Sequence, residues 1–322
     1  PLIDVSIFEE ARYYKPMMGK IWKMFPIETH RGCPYKCAYC NSPSQMAMHK
    51  LNQNESFLRR KNFDNMRREL LFFKNEMKAE FLYFWADTFF SWTRKDFETF
   101  AELYQEIQLP FWCQTRPETI NEHRVKTLKK MGVARIAFGI EHGNEKFRAK
   151  YLDRKMSNEI ITEGIKTVLR EEVPVSVNNM IGFPYETREL AFDTIRLNKT
   201  FGAPEIVDNN SYPFTPFTGT PLRKLCEELG YVKETDIVNS VMSQGSLLNM
   251  PQFSGEEVDG LTKTFNMYVK FPEDRWDEIR IAEKNTKEGN KKFNELKDEF
   301  IETFWKDGIP LPDFHDLHAS FN

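Results

Sequence analysis

The sequence predicts an α/β chain: a partial (β/α)6 TIM-like barrel with a C-terminal helical extension. Two observations carry that expectation. Strand-like and helix-like stretches alternate along the first two thirds of the 322 residues, and such alternation argues for βαβ units and a parallel sheet. Beyond about residue 220 the pattern changes to charged, helically periodic sequence without further strand signals. Together these divide the chain into an N-terminal linker segment (1–24), the barrel (25–218) and the helical extension (219–322).

Six strand runs are expected, at 25–29, 80–86, 111–115, 134–140, 174–181 and 205–212. Each is rich in aromatic or β-branched residues and ends at a turn former. Helical stretches fall between them, at 62–78, 94–108, 121–131, 158–171 and 186–201. Thr93 and Ser157 are suited to cap two of these helices, and Thr119 is a weaker candidate for a third. Right-handed crossovers between parallel strands curl a sheet into a barrel, and six units make a partial one. In the extension, residues 278–305 read as one amphipathic helix packing on the barrel, with Trp276 and Trp305 in its core or as a lid.

Composition limits the function. Forty-five basic residues against forty-eight acidic ones leave a net charge of −3, so no basic field marks a nucleic-acid binder, and a small-molecule substrate is the expectation. No apolar run approaches the ~20 residues a membrane-spanning helix needs, and residues 1–8 do not form a signal peptide. A cytoplasmic location follows by default. The chain opens on Pro1 rather than Met, which is expected of a fragment of a longer protein.

Of five cysteines, three lie in one loop directly after the first strand, in Thr29-His-Arg-Gly-Cys-Pro-Tyr-Lys-Cys-Ala-Tyr-Cys. Cys33, Cys37 and Cys40 are spaced to hold three corners of a 4Fe-4S cluster and leave the fourth iron open for chemistry. Gly32 gives the loop freedom to turn. A structural zinc site is the competitor. It needs four ligands, and only His30 or His49 stands near enough in sequence to complete one. Cys113 and Cys226 lie in apolar runs and read as buried, inert thiols.

The loop, with its aromatic Tyr39 before the last cysteine, resembles that of the radical S-adenosylmethionine superfamily. That resemblance implies an iron-sulfur enzyme in which the open iron is chelated by S-adenosylmethionine. Reductive cleavage of the cofactor then yields a 5′-deoxyadenosyl radical. Later strand ends carry further matches. Asp87 would receive the cofactor's ammonium, or cap the turn that follows, although Ala86 stands where related proteins often have a second acid. Gln114 and Arg116 alternate on one face after the third strand, and Arg116 is suited to grip a carboxylate of cofactor or substrate, or to pair with Glu118 or Glu122. Glu141 matches the polar residue that contacts ribose or the amino-acid part. Ile181 and Gly182, in Ile-Gly-Phe-Pro, would lie against adenine. His142 reads as a proton carrier near substrate or as a solvated or capping histidine.

Residues 8–17, with the Ile-Glu-Thr-His-Arg-Gly-Cys lead-in, are most similar to cobalamin-dependent members of this superfamily. Such proteins usually methylate unactivated centres. The resemblance therefore implies cobalamin held by a domain outside this chain, since only thirty-two residues precede Cys33. It also implies a reductant such as flavodoxin or ferredoxin. A radical cyclase, mutase or methylthiotransferase-like enzyme without cobalamin would share the cysteine chemistry.

Overall fold

The computed structural model describes residues 2–53, 56–238 and 245–305. A 3-10 turn, Glu10–Tyr13, leads into β1 (Tyr14–Met17), which pairs antiparallel with β2 (Lys20–Ile27). Met18 and Gly19 form the connection, both with positive φ (53° and 75°), the turn whose twist matches a hairpin. The expected linker thus contains an edge strand, and the first barrel strand begins at Lys20 rather than Phe25.

Two short strands, β3 (His30–Arg31) and β4 (Arg59–Arg60), pair across the cysteine loop and α1 (Ser42–Gln53). Thereafter come α2 (Phe63–Asn75), β5 (Phe81–Phe84), α3 (Arg94–Tyr104), β6 (Phe111–Thr115), α4 (Glu122–Met131), β7 (Val133–Glu141), α5 (Glu145–Tyr151), α6 (Asn158–Leu169), β8 (Val175–Ile181), α7 (Arg188–Lys199) and β9 (Val207–Pro213). The large sheet runs β1-β2-β5-β6-β7-β8-β9. All pairings from β2 to β9 are parallel, so the six predicted barrel strands are present, in order, as a curled half-barrel.

Strand alternation sorts the residues by face. Phe25, Phe84, Phe111, Ile136 and Val177 are buried on the outer side in one cluster with Leu70, Phe100, Leu128 and Ile165 of the covering helices. Burial of these side chains is what holds helices to sheet, at roughly 1.5–3 kcal/mol for each large one. The caps are regular: Asn62, Thr93, Asn121, Asn144, Ser157 and Thr187 each accept a bond from an amide in the first turn of their helix. Asn121 replaces the expected Thr119, which closes a 3-10 turn instead.

The extension comprises α8 (Pro221–Glu228), α9 (Gly255–Lys270), α10 (Trp276–Glu283) and α11 (Lys287–Phe304). The single helix expected at 278–305 is two. Thr286 accepts a bond from the Gly289 amide and starts a new helix, and a Cβ on Gly289 would lie 2.1 Å from the Lys284 carbonyl, so this tight corner requires glycine. The extension is not a separate core: Leu222, Leu261 and Phe265 are buried in one cluster with Ile181, Phe183 and Ile195. Among the described residues no helix is long and apolar enough to cross a membrane.

Candidate functional site

The cysteine loop leaves the carboxyl end of the first parallel strand and is held at both shoulders. Gly32 has φ of 93°, and a Cβ there would lie 2.7 Å from the Phe57 carbonyl. Its amide donates to Asp87 Oδ2 at 3.0 Å, tying the loop to the end of β5. On the far side, Ala38 N–H donates to Leu152 O at 3.0 Å and Ala38 O accepts from Leu222 N–H at 3.1 Å.

Each sulfur has a polar partner. Cys33 Sγ lies 3.6 Å from Thr88 Oγ1, Cys40 Sγ accepts from Ser42 N–H at 3.4 Å, and Cys37 Sγ accepts from Arg116 at 3.1 Å. A second guanidinium, Arg154, stands 3.9 Å from Cys37 Sγ. Arg116 and Arg154 are 8% and 3% exposed. Burial pushes the Cys33 and Cys40 thiols above their ordinary range, so a group that takes them as thiolates must bring compensating charge. Three thiols on one loop, hydrogen bonds at sulfur and two buried cations suit an anionic iron-sulfur cluster, whose potential is set by such contacts.

The two histidines near enough in sequence to complete a zinc site are engaged with aromatic rings. His30 sits 4.3 Å from Trp92 with Nδ1 2.8 Å from Thr29 Oγ1, and His49 sits 5.8 Å from Phe57. Among the described residues no three His, Cys, Asp or Glu side chains converge on a single-ion position.

The remaining predicted residues fall into two groups. Tyr39 lies in the cysteine loop, Arg116 meets it directly, and Glu141 reaches it through Arg154. Arg154 takes the Tyr39 hydroxyl as acceptor at 2.9 Å, lies 3.5 Å from Glu141 and donates to the Gly139 carbonyl. Glu141 itself has φ of 67° where the β7–β8 register shifts between Gly139 and Glu141. A bulge of this kind re-aims a side chain. The Glu141 carboxylate folds back to within 2.3 Å of where a Cβ on Gly139 would be. Arg116 also stacks on Tyr35, 3.7 Å from the ring centre, and pairs with Glu118 at 2.6 Å; of the two glutamates offered by the sequence, the structure selects Glu118. Gln114, 3.4 Å from the Ala86 carbonyl, lines the barrel interior.

Ile181 and Gly182 lie in the second group. Ile181 is fully buried, in the cluster against which Ala38 and Tyr39 pack, and its carbonyl accepts from Phe214 N–H at 2.7 Å. The amides of Gly182 and Phe183 donate to Glu186 Oε2 at 2.6 and 2.9 Å. His142 is neither solvated nor open to substrate. It is fully buried, accepts at Nδ1 from the Asn144 amide and meets Glu186 Oε1 at 3.1 Å through Nε2. With Nδ1 accepting, Nε2 carries the proton and donates to the carboxylate. Glu186, read from sequence as the first residue of a helix, instead locks the β8 turn. Cys113 and Cys226 are fully buried, as expected, and burial pushes the Cys226 thiol up to about 12.

Sequence reasoning missed Arg154, Thr88, Tyr35 and Glu186. Arg154 sits in Asp-Arg-Lys, a run that reads as solvated, and no spacing rule links it to a loop more than a hundred residues upstream.

Fold and site define an α/β half-barrel enzyme with a three-thiol loop at the carboxyl ends of its strands. The chain belongs to the Radical SAM superfamily, whose pattern matches residues 27–197 and so encloses that loop. An uncharacterized methyltransferase of Pyrococcus horikoshii is 25% identical over 253 residues, covering 76% of this chain and 50% of that protein. Among solved structures, the radical S-adenosylmethionine methyltransferase TsrM of Kitasatospora setae, with cobalamin and a [4Fe-4S] cluster bound, aligns with a TM-score of 0.51 at 15% identity, over 78% of this chain and 47% of its own. Coproporphyrinogen III oxidase (HemN) of Escherichia coli aligns with a TM-score of 0.52 at 13% identity, over 77% and 53%. The chain therefore spans about half the length of the relatives it matches.

Proposed function

We propose that Cys33, Cys37 and Cys40 hold a 4Fe-4S cluster and that the chain cleaves S-adenosylmethionine reductively to start radical chemistry, with cobalamin-dependent methylation of an unactivated centre as the outcome. The observation that carries the reading is the cysteine loop itself, where each sulfur has a polar neighbour and two buried guanidinium groups face Cys37. When bound, the reduced cluster supplies the one electron that breaks the carbon-sulfur bond to the adenosyl group. The chain's own residues bind and orient. Arg116 and Arg154 balance thiolate charge, and Asp87 and Glu141 are the acids at the strand ends able to receive the cofactor's ammonium and hydroxyls. The half-barrel shields the radical from water.

Methylation and cobalamin are supported by likeness to the Pyrococcus methyltransferase and to cobalamin-binding TsrM. The corrin would come from a domain outside this chain, the electron from flavodoxin or ferredoxin, and a small molecule would be the substrate. A reducing cytoplasm suits the free thiols. The fit to coproporphyrinogen oxidase is as good as that to TsrM, so the fold does not select the fate of the radical.

The test is anaerobic reconstitution with iron and sulfide, followed by dithionite and S-adenosylmethionine. Visible cluster absorbance and release of 5′-deoxyadenosine are expected, and Ala at any of the three cysteines should remove both. Zinc without iron, or a cluster that yields no 5′-deoxyadenosine, defeats the reading. Added methylcobalamin then separates methyl transfer from other radical outcomes.

A further inference from the structure

The inward faces of the parallel strands are polar where a filled barrel would be aliphatic. Closed α/β barrels pack Val, Ile and Leu inside. Here Gln114, Arg135, Ser176, Asn178, Asp208 and Asn210 line a cavity of ≈ 590 Å³, a size typical of small-molecule sites. One wall is aromatic. Tyr83 and Trp112 lie with ring centres 4.1 Å apart and planes at 5°, and Trp85, 5.6 Å from Tyr83, continues the wall. Cross-strand register sets Tyr83, Trp112 and Arg135 in one row.

Arg135 is 3% exposed. One Nη1 proton goes to Ser176 Oγ at 2.9 Å, and Asp208 Oδ2 stands 3.6 Å away. Nε and Nη2 have no hydrogen-bond partner. Those two nitrogens share one edge of the guanidinium, the edge whose parallel N–H bonds match a carboxylate. Buried donors without acceptors are costly and scarce in native proteins, and these belong to a residue of the cavity wall. Lys270 is near enough to feel Arg135, Asp208 and Glu205, so two cations stand against two carboxylates, and it is the open edge of Arg135 rather than net charge that selects an anion. The stem end of Lys270 lies among the rings of Phe300, Phe304 and Trp305, and Trp305 also lines the cavity.

We propose that this cavity binds a planar aromatic or heteroaromatic carboxylate, with its ring against the Tyr83–Trp112 wall and its acid on the Nε/Nη2 edge of Arg135. The inference goes beyond the radical chemistry proposed above and does not rest on it, since Met17, Met18 and Gly19, ahead of the first parallel strand, line this cavity and the three cysteines do not. The recognition itself needs neither iron nor S-adenosylmethionine.

Equilibrium dialysis of the full chain tests it with three probes: 2-naphthylacetate, its neutral amide 2-naphthylacetamide, and the non-planar cyclohexylacetate. The naphthyl acid should bind about tenfold or more tightly than either counterpart, the scale of charge-assisted hydrogen bonds. Arg135→Gln should remove that preference for acid over amide while leaving amide binding in place. Equal binding of acid and amide by the wild type, an unchanged preference in a folded Arg135→Gln protein, or no binding of the naphthyl acid at millimolar concentration overturns the proposal. Should Arg135→Gln fail to fold by circular dichroism, the wild-type comparison of acid with amide still decides. Failure in dialysis leaves 5′-deoxyadenosine formation standing, and failure to form 5′-deoxyadenosine leaves the dialysis result standing.

Discussion

His30 stands three positions before Cys33, and its environment makes the fold sensitive to acid. Burial first, and the positive charge of Arg60 second, push its pKa from 6.5 down to about 4, against a smaller opposing pull from Asp96. The sign follows from proton counting. Above the unfolded value both states hold a neutral ring, and stability is full. As pH falls through 6.5 the unfolded chain takes up a proton that the folded chain refuses, so stability drops until the folded ring titrates near 4. The total is on the order of 3 kcal/mol. Urea unfolding of iron-free protein between these limits should show wild type losing roughly 1 kcal/mol per pH unit more than His30→Gln; parallel slopes would contradict a neutral buried ring. At this scale the sequence was legible only in part. The cysteine loop is local, so spacing alone displayed it. Arg135 and Arg154 are not local: an Arg inside Val-Ala-Arg-Ile-Ala or Asp-Arg-Lys gives no sign of which distant oxygen or sulfur it meets, because its reach depends on strand register and loop closure.

Elements were more legible than contacts because periodicity is a property of the element alone. The six parallel strands alternate outward apolar with inward mixed residues, and that pattern survives in the primary structure. Thr93 and Ser157 cap as the sequence predicts, whereas Asn121, directly before α4, caps in place of Thr119. The β8 turn shows why boundaries are hard to read: Glu186 looks helical in sequence but spends its carboxylate on the Gly182 and Phe183 amides. This turn makes a sharp prediction. Gly182 has φ of 91°, and a Cβ there would come 2.9 Å from Val258 Cγ1 of α9. Gly182→Ala should therefore cost roughly 1–2 kcal/mol from backbone strain alone, with a further steric part that Val258→Ala relieves. In a double-mutant cycle by urea unfolding, the pair should lose less than the sum of the singles by about 0.5–1 kcal/mol. Strict additivity would mean that α9 does not press on the turn.

For the whole molecule, the question is whether the extension is a passenger or part of one cooperative unit. Its helices bury Leu261, Phe265 and Ile279 in the same cluster as Ile181 and Ile195 of the barrel, and an ion pair fastens the two together. Arg188, the first residue of α7, donates to Glu283 at the end of α10 at 2.9 and 2.6 Å, and the Tyr268 hydroxyl of α9 donates to the same carboxylate. The side chains of Arg188 and Glu283 are 14% and 9% exposed. Removing one partner of so enclosed a pair leaves a charge without its counterion, at a cost of about 3–5 kcal/mol, whereas replacing both by apolar groups is often close to neutral. Arg188→Met should accordingly lower the unfolding midpoint strongly, and Arg188→Met with Glu283→Leu should recover most of it. The shape of the transition carries the structural information. If barrel and extension share one core, circular dichroism and tryptophan fluorescence must move together in both variants, because no part can melt without exposing the cluster of the other. A separate early transition in Arg188→Met, with the barrel signal unshifted, would show instead that the extension folds as an independent domain docked on the sheet.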